Sequence, residues 1–300
     1  MTIERRSPCK VNLVLNILGK RADGFHELET VMHPIAYYDH LTFKCNGSVR
    51  KTGSGEPINL SCSDPSLPTD KSNLVYRAAQ SFLQAAGIKD VVSIHLEKRI
   101  PMAAGLGGGS GNAAMTLLGL NELFGSPLGP KKLDGIAASL GSDIPFFLQD
   151  GPALATGRGD QIKTLPSFPA LKGTAFLLIH PGFGIATAWA YQQLARFPEV
   201  LNGRHGRAEQ LIAALNHSAS GPGEACKLLY NSLEAPALEK YPLLQLFQDF
   251  LRSNGAVGTL MSGSGSTTFA IAKDQATAEQ LAEKLRSKFG EKNWVAVVTA

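Results

Sequence analysis

Residues 101–114 read PMAAGLGGGSGNAA, with glycines at 105, 107, 108, 109 and 111 just ahead of an apolar helical pattern. Glycines let successive backbone N–H groups turn toward one point, and an emerging helix adds unpaired donors and about half a positive charge. That is the chemistry of a phosphate nest. A flexible loop or a tight strand–helix crossing is the other reading of the same residues. The segment is not a G-x-x-x-x-G-K-[ST] loop. Gly109–Ala114 formally fits G-x-G-x-x-A, but the match lies inside the predicted helix and no acidic strand end follows about 20 residues later. The H-R-D-L-x-x-x-N signature is missing as well.

Acid–base candidates lie on either side of this loop. Residues 9–18, CKVNLVLNIL, alternate: Val11, Leu13, Leu15 and Ile17 share one face, with Lys10, Asn12 and Asn16 on the other. A strand lysine that faces inward needs a negative partner, because burying an unpaired ammonium is costly. A solubility lysine at an edge strand is the alternative. Asn12 points the same way as Lys10. Asp143 sits in LGSDIPFF, between a tight Gly-Ser turn and apolar Ile-Pro-Phe-Phe. That semi-buried setting suits a general base, and equally a turn or cap aspartate.

The elements that must position these residues follow from the pattern. Strands are expected at 9–18, about 31–45, 91–97, 174–180, 256–261, 267–272 and 293–298. Residues 152–156 and 160–165 are expected to pair as a hairpin across GRGD. Helices are expected at 72–86, 110–124, 131–139, 187–195, 207–215, 224–230, 243–252 and 275–288. Segments 19–30 and 46–70 read as loop. Ser262-Gly263-Ser264-Gly265-Ser266 is a second glycine turn, able to close over a diphosphate or simply to join two strands. Strands and helices without strict alternation give an α+β chain. Pro166 and Pro169 suggest a boundary between domains 1–167 and 168–300.

Composition narrows the function. The chain has 300 residues, 44% of them hydrophobic, and a net charge of +4. Such a chain can bury roughly three quarters of its unfolded surface and needs no staples. The weak charge and the lack of basic–aromatic stripes argue against nucleic acid. No apolar run reaches about 18 residues, so no membrane span is expected, and the N-terminal residues show no apolar signal core. Cys9, Cys45, Cys62 and Cys226 are scattered, without zinc spacing, as free thiols of a reducing cytoplasm would be.

SPCKVNLVLNILGKRADGFHELET, PMAAGLGGGSGNAA, LGSDIPFF and TLMSGSGSTTFA occur in this order. Together they resemble the GHMP kinases, the family of galactokinase, homoserine kinase and mevalonate kinase. Within that family the likeness is greatest to the kinases of a cytidine-diphosphate-linked methylerythritol. It runs through most of the chain, strongest in 7–30 and 98–147 and weakest in 196–255. It implies a two-domain α+β fold, mixed sheets with helices packed on them, and an active site in the cleft between domains. It implies ATP as co-substrate, with Mg2+ carried on the nucleotide rather than in a carboxylate cage of the protein. ATP would lie on Pro101, Met102, Ala103, Ala104, Gly105, Leu106, Gly107, Gly108, Gly109, Ser110 and Gly111, with Asn73, Leu74 and Lys98 about the adenine. Asp143 would be the base and Lys10 its cationic partner. Asn12 and Thr187 would contact the substrate, Phe25 and Phe183 would stack on its cytosine, and His26 would bond the edge of the base. A monomer or weak homodimer is expected.

Two departures from the family pattern stand out. Gly111 replaces a usual serine, which removes one hydroxyl from the phosphate loop. Phe25 stands where tyrosine is common, which keeps a stacking face and drops a hydroxyl. Other alcohols, such as homoserine or mevalonate, remain open as acceptors on the residues alone, as does a non-catalytic RNA-binding module.

Overall fold

The computed structural model describes residues 1–48, 57–217 and 221–300. The first half of the chain forms β1 (Thr2–Lys20), β2 (His26–Ser48), β3 (Ile58–Cys62), α1 (Leu74–Ala86), β4 (Asp90–Glu97), α2 (Gly108–Leu123), α3 (Pro130–Leu140), β5 (Ala153–Thr156) and β6 (Gln161–Thr164). Then come β7 (Ala175–His180), α4 (Thr187–Gln193), α5 (Pro198–Leu201), α6 (Arg207–Asn216), α7 (Pro222–Cys226), β8 (Tyr230–Asn231) and α8 (Glu234–Lys240). The chain closes with α9 (Pro242–Ser253), β9 (Gly258–Met261), β10 (Thr268–Ala272), α10 (Gln275–Phe289) and β11 (Trp294–Thr299).

Two compact units are present. The first is Met1–Cys9, Tyr37–Ile100 and Gly107–Asp150; the second is Lys10–Ala36, Pro101–Leu106 and Gly151–Ala300. The sequence suggests a single cut at 167/168. The compact units interleave along the chain: β1 and β2 each continue from one unit into the other, and the glycine segment divides after Leu106.

In the first unit, β4 pairs antiparallel with the later part of β2, from His40↔Glu97 to Cys45↔Val92. On its other side it runs parallel to β3, from Ile58↔Val92 to Cys62↔Leu96. β3 lies inside the stretch 46–70 expected to be loop; five residues alternate too briefly to stand out from their Gly- and Ser-rich flanks. Residues 49–56 of that stretch lie outside the described residues. Helix α1 begins where expected: the Asn73 side chain accepts the Val75 N–H at 2.9 Å. It ends at Gly87, whose φ of +67° is left-handed. Helix α2 is buried on nearly every side because its residues are small. A Cβ on Gly119 would stand 2.5 Å from the Phe43 ring of β2.

In the second unit, β1 pairs in parallel with β8, Leu15 opposite Asn231. The early part of β2 pairs with β5, and β5 with β6 as the expected hairpin. The loop expected over 19–30 shrinks to a turn at 21–25, closed by the Arg21 N–H on the Phe25 carbonyl at 2.7 Å. A second, antiparallel sheet has the order β11-β7-β10-β9. Ala175, Leu177 and Ile179 of β7 join Leu244, Phe247 and Leu251 of α9 and Leu281 and Leu285 of α10 in one apolar core. The alternate residue Phe176 faces Phe269, ring centroids 6.0 Å apart, and His33 at 5.4 Å. The helix expected at 224–230 is shorter, and β8 and α8 follow it. Pro236 is tolerated in α8 because it occupies the first turn, where no N–H partner exists.

Burial against these rings pushes the His33 imidazole down to about 4 from the ordinary 6.5. Its Nδ1 lies 2.8 Å from the Pro34 carbonyl. Between those two values the unfolded chain takes up a proton that the folded chain refuses, so stability falls as pH drops through this window. The loss attributable to His33 is at most about 3 kcal/mol. Urea unfolding of His33→Phe at pH 7 and pH 5 should show a smaller drop than the parent chain; equal drops would remove His33 as the cause.

Candidate active site

Lys10 is 3% exposed, as its place on the polar face of β1 requires. Its ammonium donates to Asn12 Oδ1 at 2.6 Å and approaches the Gly105 carbonyl at 3.4 Å. Asn12 Nδ2 donates to Thr30 Oγ1 at 2.8 Å, and Thr30 Oγ1 donates to the Val14 carbonyl at 2.6 Å. This chain of donors settles which end of the Asn12 amide faces Lys10, and so aims a desolvated cation. Thr30 was missed from sequence: it stands on the neighbouring strand, and nothing local marks it as Asn12's partner.

The early glycine segment is pinned by backbone. The Lys10 N–H donates to the Leu106 carbonyl at 2.9 Å, and the Thr267 N–H to the Ala104 carbonyl at 3.1 Å. Ser262 Oγ donates to the Gly105 carbonyl at 2.9 Å. Gly105 has φ +76°, and a Cβ on it would stand 2.1 Å from the Ser262 carbonyl oxygen. Gly263, at φ +56°, would meet the Gly105 oxygen at 2.9 Å. Two glycines thus face each other where no side chain fits. The SGSGS turn is the β9–β10 connection, and it is packed on the early part of the glycine segment.

The later part opens α2 in the first unit. Gly107 caps the helix with φ +68°. Gly109 is exposed, so the amides of this first turn remain open to an anion. Gly108 is not open: a Cβ there would meet Ile100 Cγ2 at 3.1 Å and Lys98 Nζ at 3.2 Å. Lys98 itself is held by Asp39 Oδ2 at 2.6 Å and the Ile100 carbonyl at 2.6 Å. Asp39 is fully buried and also accepts from Asn112 Nδ2 and from the N–H groups of Arg99 and Ile100. Lys98, expected about an adenine, is therefore bonded into the wall behind the helix start. Its partner Asp39 lies 59 positions away, beyond any local signal. Leu74 does lie beside the loop, its Cδ1 3.6 Å from where a Gly109 Cβ would be. Asn73 serves as a cap and also donates to the Pro68 carbonyl at 2.7 Å.

Gly111 corrects the reading of the missing serine. A Cβ at this position would stand 2.8 Å from the Pro8 carbonyl oxygen and 2.9 Å from Ser7 Oγ. The hydroxyl absent here would have pointed at β1, against Asn112's partner Ser7, and not out of the loop.

Asp143 is half-buried in the turn between α3 and the 3-10 turn Pro145–Leu148. In the second unit, Phe25 is 53% exposed, with the Arg158 guanidinium 4.8 Å from its ring centre. His26 lies 5.0 Å from the Tyr191 ring; burial, then the charge of Lys20, lowers its pKa below 6.5. Phe183 pairs with Tyr241 at 5.0 Å rather than with Phe25 or His26. Tyr191 and Tyr241 are ring partners that the motif reading passed over. Thr187 Oγ1 and Ser264 Oγ share a hydrogen bond at 3.0 Å. Among the described residues, no three of His, Cys, Asp or Glu are grouped to hold a metal.

The chain matches the family model described as GHMP kinases N terminal domain over residues 73–151, and that described as GHMP kinases C terminal over 203–291. A solved 4-(cytidine 5'-diphospho)-2C-methyl-D-erythritol kinase superposes with a TM-score of 0.79 at 34% identity, covering 99% of this chain and 100% of that one. The homoserine kinase of Cytophaga hutchinsonii, at 19% identity and a TM-score of 0.74, shares the fold; it covers 100% of this chain and 95% of its own. Fold and site elements together define a small-molecule kinase of the GHMP class. The 4-diphosphocytidyl-2-C-methyl-D-erythritol kinase of Acaryochloris marina is 38% identical, over 98% of this chain and 94% of its own length. That of Syntrophus aciditrophicus is 41% identical over 95% and 94%. The chain belongs to the GHMP kinases, in the family of the 4-diphosphocytidyl-2-C-methyl-D-erythritol kinases.

Gly111→Ser is expected to lower unfolding stability by roughly 1–3 kcal/mol through overpacking, without tightening ATP. Denaturant unfolding and ATP titration check both halves. Tighter ATP binding at unchanged stability would show that position 111 faces the nucleotide.

Proposed function

We propose that this chain transfers the γ-phosphoryl group of ATP to the 2-hydroxyl of 4-diphosphocytidyl-2-C-methyl-D-erythritol, an isoprenoid-precursor reaction. The observation that carries the reading is the desolvated Lys10 ammonium, aimed by Asn12 and Thr30 and touching the carbonyl of the glycine segment's Gly105. The near-full-length relatives of that printed name narrow the acceptor.

Phosphoryl transfer passes through a loose transition state, so the protein's task is to position groups and neutralise charge. The acceptor oxygen forms its bond to the γ-phosphorus as the bond to the β-bridging oxygen breaks and ADP departs. Asp143 takes the hydroxyl proton, and Lys10 stabilises negative charge on the acceptor oxygen. The triphosphate rests on the segment Pro101–Gly111, taking its main-chain donors from the glycine-rich part ahead of Gly111, with Asn73 and Leu74 about the adenine. Magnesium bound with the nucleotide would supply charge neutralisation of the phosphates; no carboxylate cluster among the described residues is grouped to hold it separately. Phe25 and Phe183 offer ring faces to the cytosine, Thr187 a hydroxyl, and His26, neutral at pH 7 because its pKa is lowered, an edge that both donates and accepts. Four free cysteines and the lack, among the described residues, of a helix long and apolar enough to cross a membrane support a cytoplasmic setting.

The purified protein, given ATP and magnesium, is expected to phosphorylate the cytidine-linked alcohol far faster than homoserine or mevalonate. Asp143→Asn is expected to lose about a thousandfold or more in kcat with ATP affinity retained. Equal turnover of homoserine or mevalonate would sink the acceptor assignment, and a near-normal rate in Asp143→Asn would sink the base.

A further inference from the structure

Strand β9 is the outer strand of the β11-β7-β10-β9 sheet, and Met261 is its last residue before the SGSGS turn. Met261 stands opposite Thr268 of β10. The next cross-strand bond, from the Ser262 N–H to the Thr267 carbonyl at 2.8 Å, shows that the polar groups of Met261 itself point away from β10. An outer strand normally leaves such groups to water or to a neighbouring chain. Here two side chains take them. Glu234 Oε1 accepts the Met261 N–H at 2.8 Å, and Asn231 Nδ2 donates to the Met261 carbonyl at 2.7 Å. Asn231 Nδ2 donates a second bond to the Gly263 carbonyl at 2.8 Å, one residue into the turn.

The orientation of the Asn231 amide is set from behind. Its Oδ1 accepts the Leu233 N–H at 2.9 Å, so the NH2 end must face the turn. The residue is 4% exposed and is anchored on β1, the strand of Lys10 and Asn12. The Ser232 N–H donates to the Leu15 carbonyl at 2.8 Å, and Ser232 Oγ accepts the Ile17 N–H at 2.9 Å. Glu234 is half-buried, with its carboxyl enclosed: it accepts from Gln248 Nε2 at 2.5 Å, and desolvation raises its pKa. Burying a carboxylate for a purely decorative bond would be costly.

The turn held in this way is the one that meets the phosphate loop. Ser262 Oγ bonds the Gly105 carbonyl, Gly263 lies against the same oxygen, and Thr267 N–H bonds the Ala104 carbonyl. We propose that Asn231 and Glu234 are positioning residues: they take the place of a missing strand at the open edge of β9 and hold the Ser262–Ser266 turn so that it fixes the early part of the ATP loop. This rests on the reading that the glycine segment binds the triphosphate. A loop held in its bound shape need not be ordered when the ligand arrives, so releasing it weakens the nucleotide more than the cytidine end, which the same turn meets only through Ser264 on Thr187 and Ser266 on the Phe183 carbonyl.

Asn231→Asp keeps the volume but puts an acceptor opposite two carbonyls. The test measures the dissociation constants of a non-hydrolysable ATP analogue and of cytidine diphosphate, well below the melting temperature, alongside the melting temperature itself. The expected result is an ATP-analogue affinity lowered about tenfold or more, with a clearly smaller loss for cytidine diphosphate. Glu234→Leu should share the defect, and Glu234→Gln, which keeps an acceptor for the Met261 N–H, should lose less. If Asn231→Asp does not fold, Ser262→Ala, which cuts only the hydroxyl bond to Gly105, should give the same selective loss. Folded Asn231→Asp or Ser262→Ala with unchanged ATP-analogue affinity, or equal loss for both ligands, would overturn the proposal. Gly109→Val separates the two readings: its Cβ has ordinary room in the fold, and its side chain would block the exposed face of the loop. If Gly109→Val leaves the analogue's affinity intact, the phosphate-loop reading fails and this inference falls with it. If Gly109→Val weakens the analogue and the clamp variants do not, only the clamp is wrong.

Discussion

The carbonyl oxygen of Gly105 is the junction on which the polar interior of the second unit depends. The Lys10 ammonium approaches it from β1 and the Ser262 hydroxyl from the late glycine turn. Both approaches require that position 105 carry no side chain and hold a left-handed backbone, a conformation that glycine adopts without strain. The buried lysine is expensive to desolvate, and it is tolerated because Asn12 and the Gly105 oxygen meet its protons in fixed directions. A loosely placed lysine would recover its hydration and lose its aim. Fixing the carbonyl fixes the cation, which the proposed transfer places beside a developing negative charge.

The first unit solves a complementary problem. A helix start that is to attract phosphates must remain unpaired at its amides yet rigid behind them. Asp39 supplies the rigidity by accepting from Lys98, Asn112 and two backbone N–H groups at once. That set of bonds ties the end of β4, the segment after it and the first turn of α2 to one buried carboxylate. The Lys98 side chain, neutralised by Asp39, lies directly behind Gly108 and closes the space beneath the helix start.

Much of the candidate site's placement was legible in the sequence because it is carried by local pattern. Alternation in 9–18 put Lys10 and Asn12 on one face, and the glycine spacing before an apolar run marked the start of α2. Asn73 and Gly87 marked the ends of α1 by capping chemistry alone. What could not be read is what depends on partners distant in the chain. The pairing of Lys98 with Asp39 is one such case. Gly111 looked like a lost hydroxyl until Pro8 and Ser7 filled the space above it. The ring pairs Phe183–Tyr241 and His26–Tyr191 likewise join residues whose spacing has no period. Elements were missed for the same reason: β3 and β8 are too short to show alternation, and each exists because a longer strand pairs with it. The division by contacts could not be read because two strands run through both units, which no composition shift reveals.

A crystal structure of the protein with a non-hydrolysable ATP analogue and the cytidine-linked methylerythritol tests the central claim most directly. The account expects the triphosphate on the amides of residues 105–111, with the acceptor's 2-hydroxyl at Lys10 and Asn12. A triphosphate bound elsewhere, or an acceptor whose 2-hydroxyl lies away from Lys10, would contradict it.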